Sequence, residues 1–430
     1  MFRAGRSWIV QVLAGWRQEE AYRRNIFFLS TSRLISTVGS MVSYVALVAV
    51  VYDRSGHSGG WVAAALVVMF GLSALVGPWS GALGDRLDRR LLMIGSDLAA
   101  AATFVGIAFA HSLPLLVALA GISAIAESPF GPSSQALLVM LVPEDRRTWA
   151  TATRASSASA GMLLGGALGG FLVAAFGGAM SFLINAGSFV ISAALVSRIK
   201  GVYRAAPLED GIDRGVSEGF RLVLSNSALR LTLLATSVGL LGTGMINVAE
   251  YPLFVNMGGG SRAYGIAVSG WALGGFIAGR VIRREGDAYS ERRRLLFGCA
   301  LVAVAIGLCG VVPVVGIVVV LFSIGGFAAG TRGIASTLIF QRRAPDHVRA
   351  RAFAAMGTAN IGAIGVAMIV SGVVLATLTP AGVCIASGLI GLLALLIATR
   401  VPPRRRDSAE SNGTAVVTEK APRQEWSLAT

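Results

Sequence analysis

The sequence predicts an all-α polytopic membrane protein, with about twelve transmembrane helices in two six-helix halves. Three observations predict it. Apolar blocks of about 20 residues, each long enough to cross a bilayer, recur along the chain. The charges gather in short links between those blocks. The second half also echoes the first. Of 430 residues, 54% are hydrophobic and only 14% charged, against about 25% charged in soluble proteins. Irregular backbone cannot face lipid, so the spans are expected to be helical, and the alternating pattern of an outer-membrane barrel is absent.

The blocks define the elements in order. Residues 1–24 are basic and amphipathic, with Trp8, Ile9, Leu13 and Trp16 fitting one apolar face; they form either a short surface helix or a disordered tail. Helix 1 is expected near 26–51, helix 2 at 60–80, helix 3 at 91–111 and helix 4 from Pro114 to Leu141. Helices 5 (149–176) and 6 (179–197) join at Gly177-Gly178. Residues 199–228 form a central linker between halves 25–198 and 229–400, with a surface helix expected over 216–226. Helices 7 (229–254), 8 (264–282), 9 (295–312), 10 (315–340), 11 (350–377) and 12 (380–399) follow, and the tail 401–430 is expected to be disordered.

The net charge of +15 would suit nucleic acid, but the arginines lie in loops on one membrane face. Arg86, Arg89, Arg90, Arg146, Arg147, Arg292 to Arg294, Arg342, Arg343 and Arg404 to Arg406 share that face, whereas the opposite loops carry little beyond Arg54 and Arg262. This bias predicts a multi-pass protein of the bacterial inner membrane with both termini in the cytoplasm, and no nucleic-acid partner. Met1 to Asn25 is charged throughout, so no cleavable signal peptide is expected. Cys299, Cys309 and Cys384 lie in apolar spans without metal-binding spacing and are expected as buried hydrophobes. No phosphate loop or nucleophile elbow is present, so neither a cofactor, a metal nor an enzymatic reaction is implied.

The internal echo has one constant offset of about two hundred residues. Pro143, Arg147 and Ala150 match Pro345, Arg349 and Ala352, and Ser134 and Gly170 match Ser336 and Gly372. Parallel repeats in such a bundle imply a central site between the halves.

Three motifs are specific. Gly81-x-Leu83-x-Asp85-Arg86-x-x-Arg89-Arg90, between helices 2 and 3, resembles the signature loop of the major facilitator superfamily, with Asp88 in place of its second glycine. Asp85 can sit at a helix N-terminus, and the arginines can pair with acids or membrane lipid. Gly161-x-x-x-Gly165-Gly166-x-x-Gly169-Gly170 in helix 5 resembles the family's antiporter motif, with Gly166 where proline is usual; it implies close helix packing and gating. Leu141 to Arg147, with Asn247-Val-Ala-Glu250 in helix 7, resembles the third drug:proton antiporter family, the macrolide and siderophore exporters.

Ionisable residues inside the membrane each cost about 2.5–3.5 kcal/mol at a helix centre, so they mark function. They are Arg33, Asp97, Glu127, Arg154, Glu250 and Arg332. The resemblance places helices 1, 4, 7 and 10 around a cavity. Glu127, near mid-span just before Pro129 and Pro132, whose missing N–H groups free backbone carbonyls, can bind a proton, a cationic compound or each in turn, or else pair with a nearby arginine. Glu250, near the outer end of helix 7, is a second proton- or substrate-binding candidate, with Asn247 beside it, or else an interfacial residue. Asp97 is expected in a network with the signature loop. Arg33 and Arg154 snorkel or pair internally, and Arg332 is a cavity residue or a partner of Glu127. Tyr44 can stack on a substrate, while Trp61, Tyr251 and Trp271 are expected as interfacial anchors or packing residues. The expected function is secondary transport by a monomer: a small amphipathic molecule leaves as protons enter. Uptake or lipid movement by the same fold, and a transport-inactive scaffold or sensor, are the alternatives.

Overall fold

The computed structural model describes residues 2–143, 146–199, 203, 215–282, 290–344 and 349–403; within these, the side chains of residues 2–21, of Asp85 and Arg86, and of a few other positions are outside the description. The chain is helical with no strand among the described residues. The helices are α1 (Phe2–Arg54), α2 (Gly59–Arg86), α3 (Arg89–Ala108), α4 (Leu113–Glu127), α5 (Phe130–Leu141), α6 (Arg147–Ser197), α7 (Gly215–Ser225), α8 (Ser227–Asn256), α9 (Gly260–Ile282), α10 (Ser290–Cys309), α11 (Val315–Arg343), α12 (Arg349–Val374) and α13 (Pro380–Thr399).

Nine described stretches are long and apolar enough to span a bilayer, with α4 and α5 counted as one. The α6 helix supplies two crossings, because Gly177 (φ 77°, ψ 176°) reverses it in a conformation that side-chain-bearing residues avoid. With α9 (23 residues) and α10 (20 residues), the helical segments of membrane-crossing length number twelve among the described residues. The boundaries move by a few residues, and helix 3 stops at Ala108, short of the expected 111. The expected surface helix is α7, whose Val223 packs against Leu229, Phe340 and Ala352. The expected membrane-surface face of residues 1–24 falls mostly on side chains outside the described set, and the expected tail 401–430 is described only through residue 403.

Helix 4, expected to be continuous, is broken. Pro129 has no N–H, so the Ile125 carbonyl takes the Ser128 N–H at 3.3 Å instead. Ser96 Oγ donates to the freed Ala126 carbonyl at 2.5 Å. The break leaves Glu127 as the last residue of α4, beside the cavity described below.

The signature loop lies on the arginine-rich face, called here the basic face. Asp85 is in the last turn of α2, not at a helix N-terminus as expected. Asp88 is the residue that caps α3: Oδ1 accepts from the Arg90 and Leu91 N–H groups at 2.9 and 3.2 Å, and Oδ2 accepts from Tyr203 N–H at 2.9 Å. The departure from the usual glycine therefore ties the loop to the segment after α6. Arg90 donates to the Val196 and Ser197 carbonyls at the C-terminus of α6, where a cation is favoured. Arg292 does the same to Thr399 and Val401 after α13. Arg90 and Arg292, like Ser197 and Thr399, are 202 residues apart, so the repeat read in the sequence is a structural one.

The halves meet along two seams, α6 on α9 and α2 on α12. A β-carbon added to Gly170 would lie 2.9 Å from Gly265 Cα, and one added to Gly166 would lie 2.6 Å from Ser269 Oγ. Ser269 Oγ donates across this seam to the Leu163 carbonyl at 2.6 Å. On the other seam Gly372 packs on Ala63, and Gly59 on Leu375. Ala63 and Gly265, and Gly170 and Gly372, are again 202 apart. Both contacts lie toward the face opposite the basic one. There, one apolar core runs through both halves, from Val45 and Leu66 to Phe254 and Phe322. Toward the basic face the cores separate: Ile26, Met93 and Leu137 in one half, Leu295, Ala335 and Ala398 in the other. Among the described residues the halves are therefore packed together at one face and apart at the basic face.

Gly170→Ala and Gly372→Ala are each expected to destabilise the protein by about 1–3 kcal/mol through overpacking. Gly362→Ala, with open space around it, leaves the melting temperature unchanged or raised. Thermal melts in detergent check this. In the same assay Asp88→Ala costs about 1 kcal/mol through the lost cap, and Asp88→Asn, which keeps one acceptor oxygen, costs less.

Candidate functional site

Three adjoining cavities run between the halves. The first, of about 340 Å³, lies in the N-terminal half and holds Arg33, Ser40 and Glu127. The second, of about 270 Å³, lies on the midline with Asn247 and Glu250. Met41, Tyr44 and Phe70 line both. The third, of about 350 Å³, holds Arg332 in the C-terminal half and shares Thr243 and Trp271 with the second. A larger opening of about 900 Å³ separates α6 from α9 and α11 toward the basic face, lined by Ser156, Ser159, Phe276 and Arg280 among others.

In the first cavity Ser40 Oγ donates to Glu127 Oε2 at 3.5 Å. Arg33 lies within electrostatic reach of Glu127, Asp97 and Arg154. The cluster is balanced: two guanidinium and two carboxyl groups. Among the described residues it is not saturated: Arg33 Nε, Arg154 Nε and Asp97 Oδ2 have no hydrogen-bond partner. The Arg33 guanidinium also stands 5.9 Å above the Phe130 ring, across the break after α4. The structure thus brings Asp97 to Glu127 and Arg33, where the sequence suggested the signature loop. It also gives Glu127 an arginine neighbour, Arg33, and not Arg332.

Of the two places the sequence allows Glu250, the structure gives it the cavity. It is buried, 7% exposed, and faces the midline cavity instead of the membrane interface. Tyr264 of α9 donates to its Oε1 at 3.0 Å, and Tyr44 of α1 stands beside both. The cavity walls around it are apolar and aromatic: Met41, Phe70, Met162, Trp271 and Phe322. Asn247 is one helical turn before Glu250 on the same lining face. Tyr251 and Trp271 are likewise not interfacial anchors. Tyr251 is buried and donates to Asp53 across the closed face at 3.3 Å; Trp271 joins two cavities. Tyr264 and Asp53 had no signal in the sequence, since a tyrosine fourteen residues beyond a glutamate has no fixed geometry until two helices pack.

The glycine motif of helix 5 divides between two faces. Gly161, Gly165 and Gly169 lie against α1 at Thr37, Val38 and Val42, while Gly166 and Gly170 form the seam with α9. Small residues on two sides let one helix pack closely within its half and across the seam. Arg89 and Arg90 open α3 at the basic end, and the backbone of Gly81, Asp85 and Arg86 forms the last turns of α2 beside them.

The arrangement is a set of cavities lined by acids, guanidinium groups and aromatic rings, with no cluster of metal-ligating side chains among the described residues. The family model of the Major Facilitator Superfamily matches residues 27–284 and 232–429. The multidrug efflux pump Tap of Mycolicibacterium fortuitum is 26% identical over 74% of this chain and 81% of its own. The PmrA homolog of Lactococcus lactis, a multi-drug resistance efflux pump, is 28% identical over 64% of this chain and 70% of its own. Among solved structures, the nucleoside transporter NupG superposes with a TM-score of 0.70 at 12% identity, covering 88% of this chain and 98% of that one. A bacterial homolog of the lysosomal transporter Spinster, inward-facing and unoccupied, gives 0.66 at 15% identity, covering 88% and 96%. These two show the fold alone. The chain belongs to the Major Facilitator Superfamily.

Proposed function

We propose that the protein is a proton-driven exporter of small amphipathic compounds, with its basic face toward the cytoplasm of a bacterial cell. The observation that carries this reading is the pair of carboxyl groups in adjoining cavities of two halves that, among the described residues, pack together at one face. The concentration of arginines supports the orientation. The names of the relatives Tap and the PmrA homolog support export.

The two acids suit different tasks. Glu127 is compensated by Arg33 and touches a serine, so it can gain or lose a proton without leaving the cluster grossly unbalanced. Glu250 has neutral hydroxyl neighbours, Tyr264 and Tyr44, and an aromatic cavity, so it offers an uncompensated anion to a cationic head group. Protonation at the closed face and release at the open one would then alternate with substrate as the seams exchange. The break at Pro129 and the glycine seams give the halves surfaces on which to rock.

Everted membrane vesicles test the direction and the coupling. Accumulation of a fluorescent cationic amphipath is expected, and a protonophore collapses it; accumulation that a protonophore leaves untouched contradicts proton drive. Glu127→Gln is expected to fold normally and to lose coupled transport or shift its pH profile, and unchanged transport at every pH removes Glu127 from the mechanism. Glu250→Gln is expected to lower export of permanently cationic compounds about tenfold, the scale of a lost charge-assisted contact, with neutral compounds little affected.

A further inference from the structure

Arg332 is the one intramembrane charge that the exchange just proposed leaves unused. It lies in the C-terminal half, 3% exposed, at the wall of the 350 Å³ cavity. Its contrast with Arg33 is sharp. Arg33 has two carboxyl groups within electrostatic reach. Arg332 makes no hydrogen bond or ion pair among the described residues, and the ionisable group it faces is the Cys299 thiol, not an acid. A guanidinium stays charged, so this is a buried positive charge with no counterion. Burying one is costly unless something compensates it.

The surroundings hold that charge in place. Gly239 of α8 leaves the space the guanidinium occupies: a β-carbon there would lie 3.1 Å from Arg332 Cζ and closer to Nη1. Gly298 of α10 does the same for the Arg332 backbone and Cβ, at 2.7 and 2.9 Å. The cavity also presents Thr236, Ser336 and Asn360. Ser237 Oγ donates to Asn360 Oδ1 at 3.4 Å, which leaves the Asn360 amide N–H groups to donate to a ligand. Thr236 and Ser336 already donate to the Thr232 carbonyl and the Met356 sulfur, so the fixed guanidinium and the Asn360 amide are the donors left to recognise an oxyanion.

We propose that the Arg332 cavity is an anion-binding subsite that takes a carboxylate or similar oxyanion on the transported molecule. This rests on the reading of the midline cavity as a substrate site. The two cavities meet at Thr243 and Trp271, so one amphipathic molecule can span them. Its cationic group lies toward Glu250, its acid toward Arg332, and its ring system between them against Trp271. The favoured substrate class is then a zwitterionic aromatic amphipath and not a simple lipophilic cation.

A fluoroquinolone with a free carboxylate, and its methyl ester, separate the two ideas. Binding is read by tryptophan fluorescence on the purified full-length protein. The wild type is expected to bind the free acid about tenfold more tightly than the ester. Arg332→Gln removes that preference without weakening the ester, Arg332→Lys keeps part of it, and Gly239→Ala, which crowds the guanidinium, reduces it. Equal binding of acid and ester by the wild type overturns the subsite, as does an equal loss of both in Arg332→Gln, which marks a structural role. Should Arg332→Gln fail to fold, the wild-type preference and the Lys and Gly239→Ala variants decide the matter alone. Acid-selective binding without export of either compound overturns the export reading and leaves the subsite standing.

Discussion

The close approach of Gly170 to Gly265, backbone against backbone, is the contact on which the rest of the structure depends. It is made twice, because the repeat places Gly372 against Ala63 on the other side of the bundle. In lipid, two helices gain little from hydrophobic burial, since the tails around them are equally apolar. What holds the halves together is close van der Waals packing, and small residues permit it. A seam of this kind grips where side chains are absent and releases over a short distance. The separation of the cores toward the basic face is the visible consequence.

The repeat builds the scaffold, and the site departs from it. Seam residues and helix-end arginines obey the 202-residue offset: Arg90 with Arg292, Gly170 with Gly372. The charges do not. At the same offset, Glu127 corresponds to Ala329, Glu250 to Val48, Arg33 to Ala235 and Arg332 to Phe130. The break at Pro129 has no counterpart either, because Thr331 occupies the equivalent place in an unbroken α11. One half therefore carries a balanced acid–base cluster, the other a lone guanidinium, and Glu250 stands between them. Two copies of one unit give the paired halves, and three cavities of different charge lie across them.

Much of this was legible in the chain. Apolar blocks determine the spans because an unsatisfied backbone in lipid is too costly. The stranded charges are conspicuous for the same reason, and Glu127, Glu250, Asn247, Tyr44, Arg33 and Arg332 all line the cavities. The partners were not legible. Whether Arg33 or Arg332 faces Glu127 depends on which helices are neighbours, and the sequence offered both. The sequence left the depth of Glu250 open because the end of α8, at Asn256, was not fixed, and because Tyr264, which holds the carboxyl inside, belongs to the next helix. The role of Asp88 as a cap, and of Gly239 as the space for a guanidinium, emerge only when distant segments meet.

The central claim is that the two faces open and close reciprocally about the glycine seams. Spin labels at Ser156 and Arg280 report the opening at the basic face, and labels at His57 and Leu378 report the closed one. Pulsed electron–electron distances, taken with and without a transported compound and at low and high pH, test it directly. The account predicts that conditions shortening the first distance lengthen the second. Two distances that stay constant, or that change in the same direction, would contradict it.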